Sequence, residues 1–397
     1  MSPSLLIKNG LVTDCGGQAR ADVLIENGII ARVGQIDRID RDDCETLDAS
    51  GLAVMPAFVD LHAHLRDPGL THKEDAASGC RAAAAGGYTT LVAMANTGPV
   101  CSDLETARDV MRRAAEQGIC DVSQCVSLTK DFDGRTTSHL DAIFSGDTGG
   151  QIRFVSDDGH GIKSGAVFRE GLEKCAAAGR VLLIHAEEED EETARDARIA
   201  EELGLRAHFC HVSTRVSAEI ITAAKRRGAK LTFEVTPHHI ALNDSTEYRV
   251  NPPLRPEGDR RFLIDCLKNG LADAISTDHA PHTPEDKAAG APGLVGLETA
   301  FAVCYSVLCA ENGLPLPALS NLMSRSPAKI MGINKGEIKP GFIGDIIVAD
   351  VNARYTIDSS RFYSKGRNTP FDGMEYYGKV LYTVKNGRII YGPEGFK

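Results

Sequence analysis

AVMPAFVDLHAHLRDPG, residues 53–69, decides the fold predicted for this chain. The run begins as an apolar strand and ends in His62-Ala63-His64, where a single residue separates two imidazoles. Side chains two positions apart on a strand point to the same side, so both rings can reach one cation. The pair stands at the carboxyl end of its strand, which is where barrel enzymes carry their active sites.

Seven further apolar or β-branched runs follow, and amphipathic helical stretches such as LETARDVMRRAAEQG separate most of them. This alternation indicates an α/β protein with a parallel sheet. Eight repeats favour a closed (β/α)8 barrel of the TIM type over an open doubly wound sheet. The predicted strands are 53–62, 88–94, 121–128, 152–156, 180–185, 206–212, 230–235 and 272–277.

The two ends of the chain have a different texture, because short strands alternate there with hairpin dipeptides. Asn9-Gly10 and Asn27-Gly28 mark turns near the N-terminus, and Asn386-Gly387 marks one near the C-terminus. The simplest assembly is one small β-sandwich domain formed by both termini. We therefore predict three segments, which are the two parts of that domain and the catalytic barrel between them: 1–52, 336–397 and 53–335.

Composition excludes several functional classes. No apolar run approaches the roughly 20 residues that span a bilayer, and the N-terminus lacks the features of a secretion signal, so we expect a cytoplasmic protein. A net charge of −11 without a Lys/Arg run argues against binding nucleic acid or an anionic membrane. Eleven cysteines without CxxC pairs indicate reduced thiols, so any metal should bind through His and carboxylate. The acidic stretch 187–202 has helical spacing and predicts a solvated helix face.

Metal-binding side chains also follow four other predicted strands, namely Asp157-Asp158, His185, His211 and Asp278. Taken singly, Asp-Asp-Gly is usually a turn, and a strand-end histidine is usually a core or capping residue. Together these residues indicate a centre that binds divalent metal through N and O ligands. Four histidines and two carboxylates suit two ions that share a bridging acid and lower the pKa of bound water for attack on a carbonyl. Asp278 is then the candidate for moving a proton to the leaving nitrogen.

At these residues the chain resembles the amidohydrolase superfamily and, within it, the class I dihydroorotases. The resemblance runs from about residue 4 to the end. Its strongest segments are VDLHAHLRDPG (59–69), AMANTGPV (93–100), FVSDDG (154–159), NPPLR (251–255) and ISTDHAPHTPEDK (275–287). It implies a hydrolase of cyclic amide C–N bonds that interconverts N-carbamoyl-L-aspartate and (S)-dihydroorotate in pyrimidine biosynthesis.

The resemblance also implies a site, position by position. The implied ligands of a first zinc are His62, His64, Asp158 and Asp278, and those of a second are Asp158, His185 and His211. Asp158 would bridge the two zinc ions, where many relatives use a carboxylated lysine, so no lysine carbamylation is expected. Asp158 is chosen over Asp157 by its match to the second acid of the family motif, and Asp278 would be the catalytic proton carrier.

Substrate contacts carry over in the same way. They are His64, Arg66, Asn96, Asn251, His282 and the backbone at Pro292 and Gly293. Both substrates carry a carboxylate, and Arg66 offers the planar fork that binds one bidentately. Without a substrate, Arg66 would be a surface arginine in a turn, and Asn251-Pro252-Pro253 would be only a rigid loop. Residues 281–296 form a Gly- and Pro-bearing loop that we interpret as a mobile lid. His238 and His239 are interpreted as structural residues or as residues that support the metal ligands.

Two rival functions remain open at this stage. A hydantoinase or allantoinase would use the same barrel and metals on cyclic amides that lack a fixed carboxylate, and Arg66 argues against it. A non-catalytic relative could serve as a scaffold for aspartate transcarbamoylase, but such copies should lose ligands. We expect a homodimer, with a complex with aspartate transcarbamoylase as a further partner. Two departures from the family pattern are a short stretch between His185 and His211 and AMAN at 93–96.

Overall fold

The computed structural model describes residues 4–37, 39 and 44–396. Short strands occupy the beginning of the chain. They are β1 (Ser4–Asp14), β2 (Gly17–Glu26), β3 (Ile29–Gly34), β4 (Cys44–Asp48) and β5 (Ala53–Pro56). Four further strands end it, namely β14 (Ile346–Thr356), β15 (Glu375–Lys385), β16 (Arg388–Gly392) and β17 (Gly395–Phe396).

Short parallel strands alternate with helices between these two ends. The strands are β6 (Phe58–Ala63), β7 (Tyr88–Ala93), β8 (Asp121–Gln124), β9 (Phe154–Val155), β10 (Val181–Ile184), β11 (Ala207–Phe209), β12 (Leu231–Val235) and β13 (Ala274–Ile275). The helices are α1 (Ala76–Ala85), α2 (Leu104–Glu116), α3 (His139–Gly146), α4 (Gly165–Ala177), α5 (Glu189–Leu203), α6 (Arg215–Arg226), α7 (Pro237–Ala241), α8 (Glu257–Lys268), α9 (Pro284–Ala288), α10 (Ala300–Cys304), α11 (Leu316–Ser320) and α12 (Ser326–Met331). Among the described helices, none combines the length and apolar character needed to cross a membrane.

The eight central strands form two parallel sheets, β6-β7-β8 and β9-β10-β11-β12-β13. Parallel bridges join the sheets at both edges, one between Val126 and Val155 and the other between Ala63 and His279. All carboxyl ends of a set of parallel strands lie on one side, so the residues that follow these strands meet there. Each of the eight predicted strands overlaps one of these.

The predicted strand 53–62 is two strands in the structure, which corrects that expectation. β5 pairs with β1 and β14 in the terminal sheet, whereas β6 pairs with β7. Every residue of β5 and β6 is buried, so the apolar pattern carries no sign of the break between them. We propose that the boundary between the terminal part and the central part lies at Ala57 rather than before residue 53.

The two termini share one additional β-sheet. Its order is β17-β16-β15-β14-β5-β1-β2-β3, with β4 also pairing with β1, and β5 joins the N-terminal strands to the C-terminal ones. Leu5, Ile7 and Ile25 from one end pack in a single buried cluster with Ile346 and Val348 from the other. The terminal part is therefore held by hydrogen bonds and by a small core of its own.

The hairpin predictions succeed at two of three sites. Asn27-Gly28 and Asn386-Gly387 form tight turns with positive φ at both residues, as a two-residue turn with this twist requires. Asn9-Gly10 does not form a turn, because it lies inside β1, where the pairing with β2 shifts register. The β1–β2 turn is at Cys15-Gly16 instead.

The prediction of a solvated face for 187–202 is wrong in part. This stretch is mostly α5, and Glu189, Glu192 and Asp196 on it are buried. Glu189 accepts hydrogen bonds from the backbone N–H groups of Ser213 (2.8 Å) and Thr214 (3.0 Å), so it fastens α5 to the loop after β11. An acidic side chain that is buried against hydrogen-bond donors and one that faces solvent occur at the same helical spacing, so the sequence does not distinguish them.

Candidate metal centre and substrate pocket

Six candidate metal ligands lie at the carboxyl ends of five parallel strands, and all six are buried. They are His62 and His64 at the end of β6, Asp158 after β9, His185 after β10, His211 after β11 and Asp278 after β13. The central fold thus brings together residues that are up to 216 positions apart in the chain, because the carboxyl ends of its parallel strands lie on the same side.

Two imidazoles and two carboxylates form the first group. His64 Nε2 lies 3.2 Å from Asp278 Oδ1 and 3.4 Å from Asp158 Oδ2. His62 Nε2 lies 3.5 Å from Asp278 Oδ1 and 3.8 Å from the same Asp158 oxygen. These separations suit donor atoms arranged around one cation.

Asp158 also faces a second group through its other oxygen. Its Oδ1 lies 3.6 Å from His185 Nε2. The ring of His211 is 4.9 Å from that of His185 and 5.1 Å from that of His62, measured between centroids. Donor atoms of His62, Asp158, His185 and His211 all lie within 4.8 Å of one another. The two oxygens of Asp158 therefore point into two adjoining sets of ligands.

The chemistry of this donor set fits cations. Within the described part of the chain, His62 Nε2 and His185 Nε2 are buried and have no hydrogen-bond partner. Burial lowers the pKa of His185 to about 3, so its imidazole is neutral and keeps a lone pair. Burial opposes ionisation of Asp158, but His185 and His64 hold the pKa of its carboxyl well below the usual range. Burial opposes protonation of His62, but Asp278 and Asp158 raise its pKa well above the usual range. Imidazole nitrogens and carboxylate oxygens are the ligands that zinc and similar ions prefer.

Hydrogen bonds hold the outer nitrogens of two of these imidazoles, and a buried carboxylate faces that of a third. Ser156 Oγ lies 3.0 Å from His185 Nδ1, and Asn96 Oδ1 lies 2.9 Å from His64 Nδ1. The Asn96 amide also donates to Asp158 Oδ2 at 2.8 Å. Glu234 Oε1 is 3.5 Å from His62 Nδ1. A partner at Nδ1 orients each ring so that Nε2 faces the centre.

Glu234 is the residue that sequence reasoning missed. It is fully buried in β12, where its second oxygen meets His208 Nε2 at 3.0 Å and accepts from Ser276 Oγ. The acid within the apolar run LTFEV was the available signal, because a buried carboxylate requires partners. Asp157, the rejected alternative to Asp158, accepts instead from the backbone N–H groups of Leu128 (2.6 Å) and Thr129 (3.0 Å).

Arg66 and His282 form a hydrogen-bonded pair beside the candidate metal ligands. Arg66 Nη2 lies 3.3 Å from His282 Nε2, and Arg66 Nε donates to Pro281 O at 3.4 Å. Burial and the neighbouring Arg66 lower the pKa of His282 to about 4, so it offers hydrogen bonds rather than a positive charge. A Cβ at Gly293 would lie 3.7 Å from His282 Cδ2, which places this backbone beside the same ring.

The other expected contacts differ in their surroundings. Asn96 is committed to His64 and Asp158, whereas Asn251 and Pro292 are exposed. His239 is bonded to Thr236 Oγ1 (2.7 Å) and Pro252 O (3.1 Å), as a structural residue would be. His238 is buried beside it, and both of its ring nitrogens lack a partner within the described residues.

The loop interpreted as a lid is firmly anchored. Thr283 caps α9, and Lys287 Nζ donates to the carbonyl oxygens of Arg249 (3.1 Å), Ala291 (2.8 Å) and Gly293 (2.9 Å). Lys73 pairs with Asp286 at 3.1 Å. These contacts oppose opening, so the structure gives the mobile-lid interpretation no support.

The profile of the "Amidohydrolase family" matches residues 53–390. The chain belongs to the amidohydrolase family. It is 45% identical over 399 residues to the dihydroorotase of Clostridium botulinum (strain Eklund 17B / Type B), and this match covers 98% of the chain and 99% of that protein. It is 36% identical over 427 residues to the dihydroorotase of Geobacter metallireducens, with coverage of 98% and 99%. These full-length matches assign it to the dihydroorotase branch of the family.

Solved structures agree on the fold. L-Hydantoinase (dihydropyrimidinase) from Arthrobacter aurescens superposes with a TM-score of 0.90 at 25% identity, covering 98% of this chain and 96% of that one. Dihydropyrimidinase from Brevibacillus agri gives a TM-score of 0.86 at 21% identity, with coverage of 99% and 96%, and so shows the fold alone. The alignment with the C. botulinum relative spans 399 positions and covers nearly all of both proteins, so the two are of similar length.

Proposed function

We propose that this chain is a dihydroorotase, which reversibly cyclises N-carbamoyl-L-aspartate to (S)-dihydroorotate and water. The observation that carries the proposal is the joint position of six metal-binding side chains and the Arg66–His282 pair. A metal centre alone fits every cyclic amidohydrolase. An arginine next to it adds a preference for a substrate with a carboxylate.

We further propose two zinc ions. His62, His64, Asp158 and Asp278 would hold the first, and Asp158, His185 and His211 would hold the second. The separate directions of the two Asp158 oxygens support its role as the bridge. When bound, such ions supply polarisation of a carbonyl and lower the pKa of water.

Asp278 is proposed to carry the proton. Burial opposes its ionisation, but His62 and His64 hold the pKa of Asp278 below its ordinary range. As a carboxylate it can accept a proton from the attacking water and pass it to the ring nitrogen that leaves. In the reverse direction it takes a proton from the ureido nitrogen as that nitrogen attacks the carboxyl carbon, and it passes the proton to the hydroxyl that leaves as water. The same carboxyl thus serves both directions.

Arg66 is proposed to bind the carboxylate that the substrate keeps throughout the reaction. It is buried, with 9% of its surface exposed, so a partner meets the guanidinium with little competing water. His282 Nε2 accepts from Arg66 and so orients the guanidinium fork. Substrates of a hydantoinase lack a fixed carboxylate for the Arg66 guanidinium to bind, and the pair therefore favours dihydroorotate.

The finer architecture and the partners also remain proposals. We propose that the two parallel sheets form one closed (β/α)8 barrel, supported by the bridges at both edges, with the terminal sheet folded over its own core as a β-sandwich. A homodimer and a complex with aspartate transcarbamoylase are predictions that sedimentation of the purified chain, alone and with that enzyme, will check.

The test combines metal analysis with an absorbance assay of dihydroorotate hydrolysis. We expect about two zinc per chain and turnover of dihydroorotate well above that of unsubstituted hydantoin. Asp265→Asn, on the exposed side of α8, is the control for purification effects. Preferred turnover of hydantoin would favour the hydantoinase alternative, and a zinc-loaded chain without turnover would favour the scaffold.

A further inference from the structure

A segment from the C-terminal part of the chain lies against the substrate pocket. Residues 364–368 (SKGRN) come between β14 and β15, yet they contact the loop that carries His282 and Gly293. No motif in the sequence pointed to this segment. Its role follows from what its last residue, Asn368, contacts.

Both ends of the Asn368 amide are engaged by that loop. Its Oδ1 accepts from the His282 backbone N–H at 3.0 Å. Its Nδ2 donates to the carbonyl oxygens of Ala280 (2.9 Å) and Gly293 (3.1 Å), and its own carbonyl accepts from Val295 N–H at 2.9 Å. The Asn368 side chain thus connects the backbone at Ala280 and His282 with the backbone at Gly293.

At Gly366 the segment approaches the loop so closely that a residue with a side chain would not fit. A Cβ at Gly366 would lie 2.7 Å from Val295 Cγ1 and 2.8 Å from Pro281 Cβ. Ser364, at the other end, donates to buried Glu74, whose Oε2 lies 3.2 Å from His279 Nε2. The segment is therefore fixed at one end to Glu74, the partner of His279, and at the other to the backbone at His282.

We propose that Asn368 is a positioning residue for recognition of the substrate carboxylate. It fixes the backbone of His282, and His282 Nε2 in turn orients the Arg66 guanidinium at 3.3 Å. The inference rests on the proposed function, since it assigns Asn368 to the binding of that substrate. An amide is required because the loop offers one N–H and two carbonyl groups, which only a side chain with both an acceptor and a donor can satisfy.

The test compares Asn368→Ala and Asn368→Asp with Asn352→Ala, an exposed asparagine on β14. Aspartate still accepts the hydrogen bond from the His282 N–H, but it places an oxygen instead of an amide N–H against the carbonyl oxygens of Ala280 and Gly293. If the alanine variant does not fold, the aspartate variant is used for the test. We expect both Asn368 variants to raise KM for dihydroorotate about ten-fold, with kcat and zinc content close to wild type. Deuterium uptake across 280–295 should also rise.

The outcomes separate this inference from the proposed function. If the wild-type chain does not turn over dihydroorotate, the proposed function fails. If it does, and the Asn368 variants keep the KM of the Asn352 control, the inference is overturned. It is also overturned if the variants lose stability and zinc with KM unchanged, or if KM for neutral dihydrouracil rises equally.

Discussion

Replacement of Arg66 by alanine tests the assignment of substrate class. Arg66 stands in the left-handed region, with φ 58°, and alanine is no better suited to this conformation than arginine. The substitution therefore leaves the backbone cost nearly unchanged and removes the guanidinium. The expected loss falls on binding of the carboxylate.

The magnitude follows from the kind of bond that is lost. Hydrogen bonds to charged groups contribute about 1.5–3 kcal/mol, which corresponds to roughly a 10- to 150-fold loss in kcat/KM. Most of it should appear in KM, because the carboxylate is unchanged between substrate and transition state. Burial of Arg66 places the expected value in the upper half of that range.

The assay follows dihydroorotate hydrolysis by absorbance, with dihydrouracil, which lacks the carboxylate, as the matched substrate. Arg66→Lys keeps the charge without the fork and should recover part of the loss. Zinc content and melting temperature of each variant show whether the centre is intact. Unchanged KM for dihydroorotate, or an equal loss on both substrates, would refute the carboxylate assignment.

Three further predictions concern the metal centre. Asp278→Ala should abolish nearly all turnover while the melting temperature shows a folded chain, and appreciable residual activity would mean that another group moves the proton. Glu234→Gln should weaken zinc binding about 10- to 100-fold in a competition titration, because the His62 ring loses a charged partner; an unchanged affinity would contradict that role. Removal of metal by a chelator should abolish activity and lower the melting temperature, and added zinc should restore both; a melting temperature that does not respond would show that the four histidines bind no metal.

The clustering of the candidate metal ligands could be predicted because the carboxyl ends of parallel strands lie on one side of the fold. Each ligand follows a short apolar run, and such runs in βα repeats end on the same side. His185 and His211 are thus neighbours in space, although each alone is an ordinary strand-end histidine. The resemblance to a known family supplied their grouping into two ion sites.

The residues that support the centre could not be predicted in this way. Glu234 lies within β12. Its partner His208 is in β11 and its partner Ser276 directly follows β13, at sequence distances that no local pattern reveals. Asn368 lies beyond the last of the central parallel strands, and its contacts depend on how the C-terminal part of the chain packs against them. The break after Pro56 is hidden because both strands that it separates are buried on all sides.

Backbone conformation sets a further limit on what a sequence reveals. His211 (φ 36°) and Asp278 (φ 48°) adopt left-handed conformations directly after their strands. A residue other than glycine pays about 1–3 kcal/mol for such a conformation, and nothing in the sequence marks these two positions as strained. In these conformations both side chains lie among the other candidate metal ligands. Because ligands at both positions face the same centre, we infer that cation binding offsets this cost. It follows that metal removal should loosen these two turns before it unfolds the strands beneath them, which hydrogen exchange of the backbone at 210–212 and 277–279 would detect.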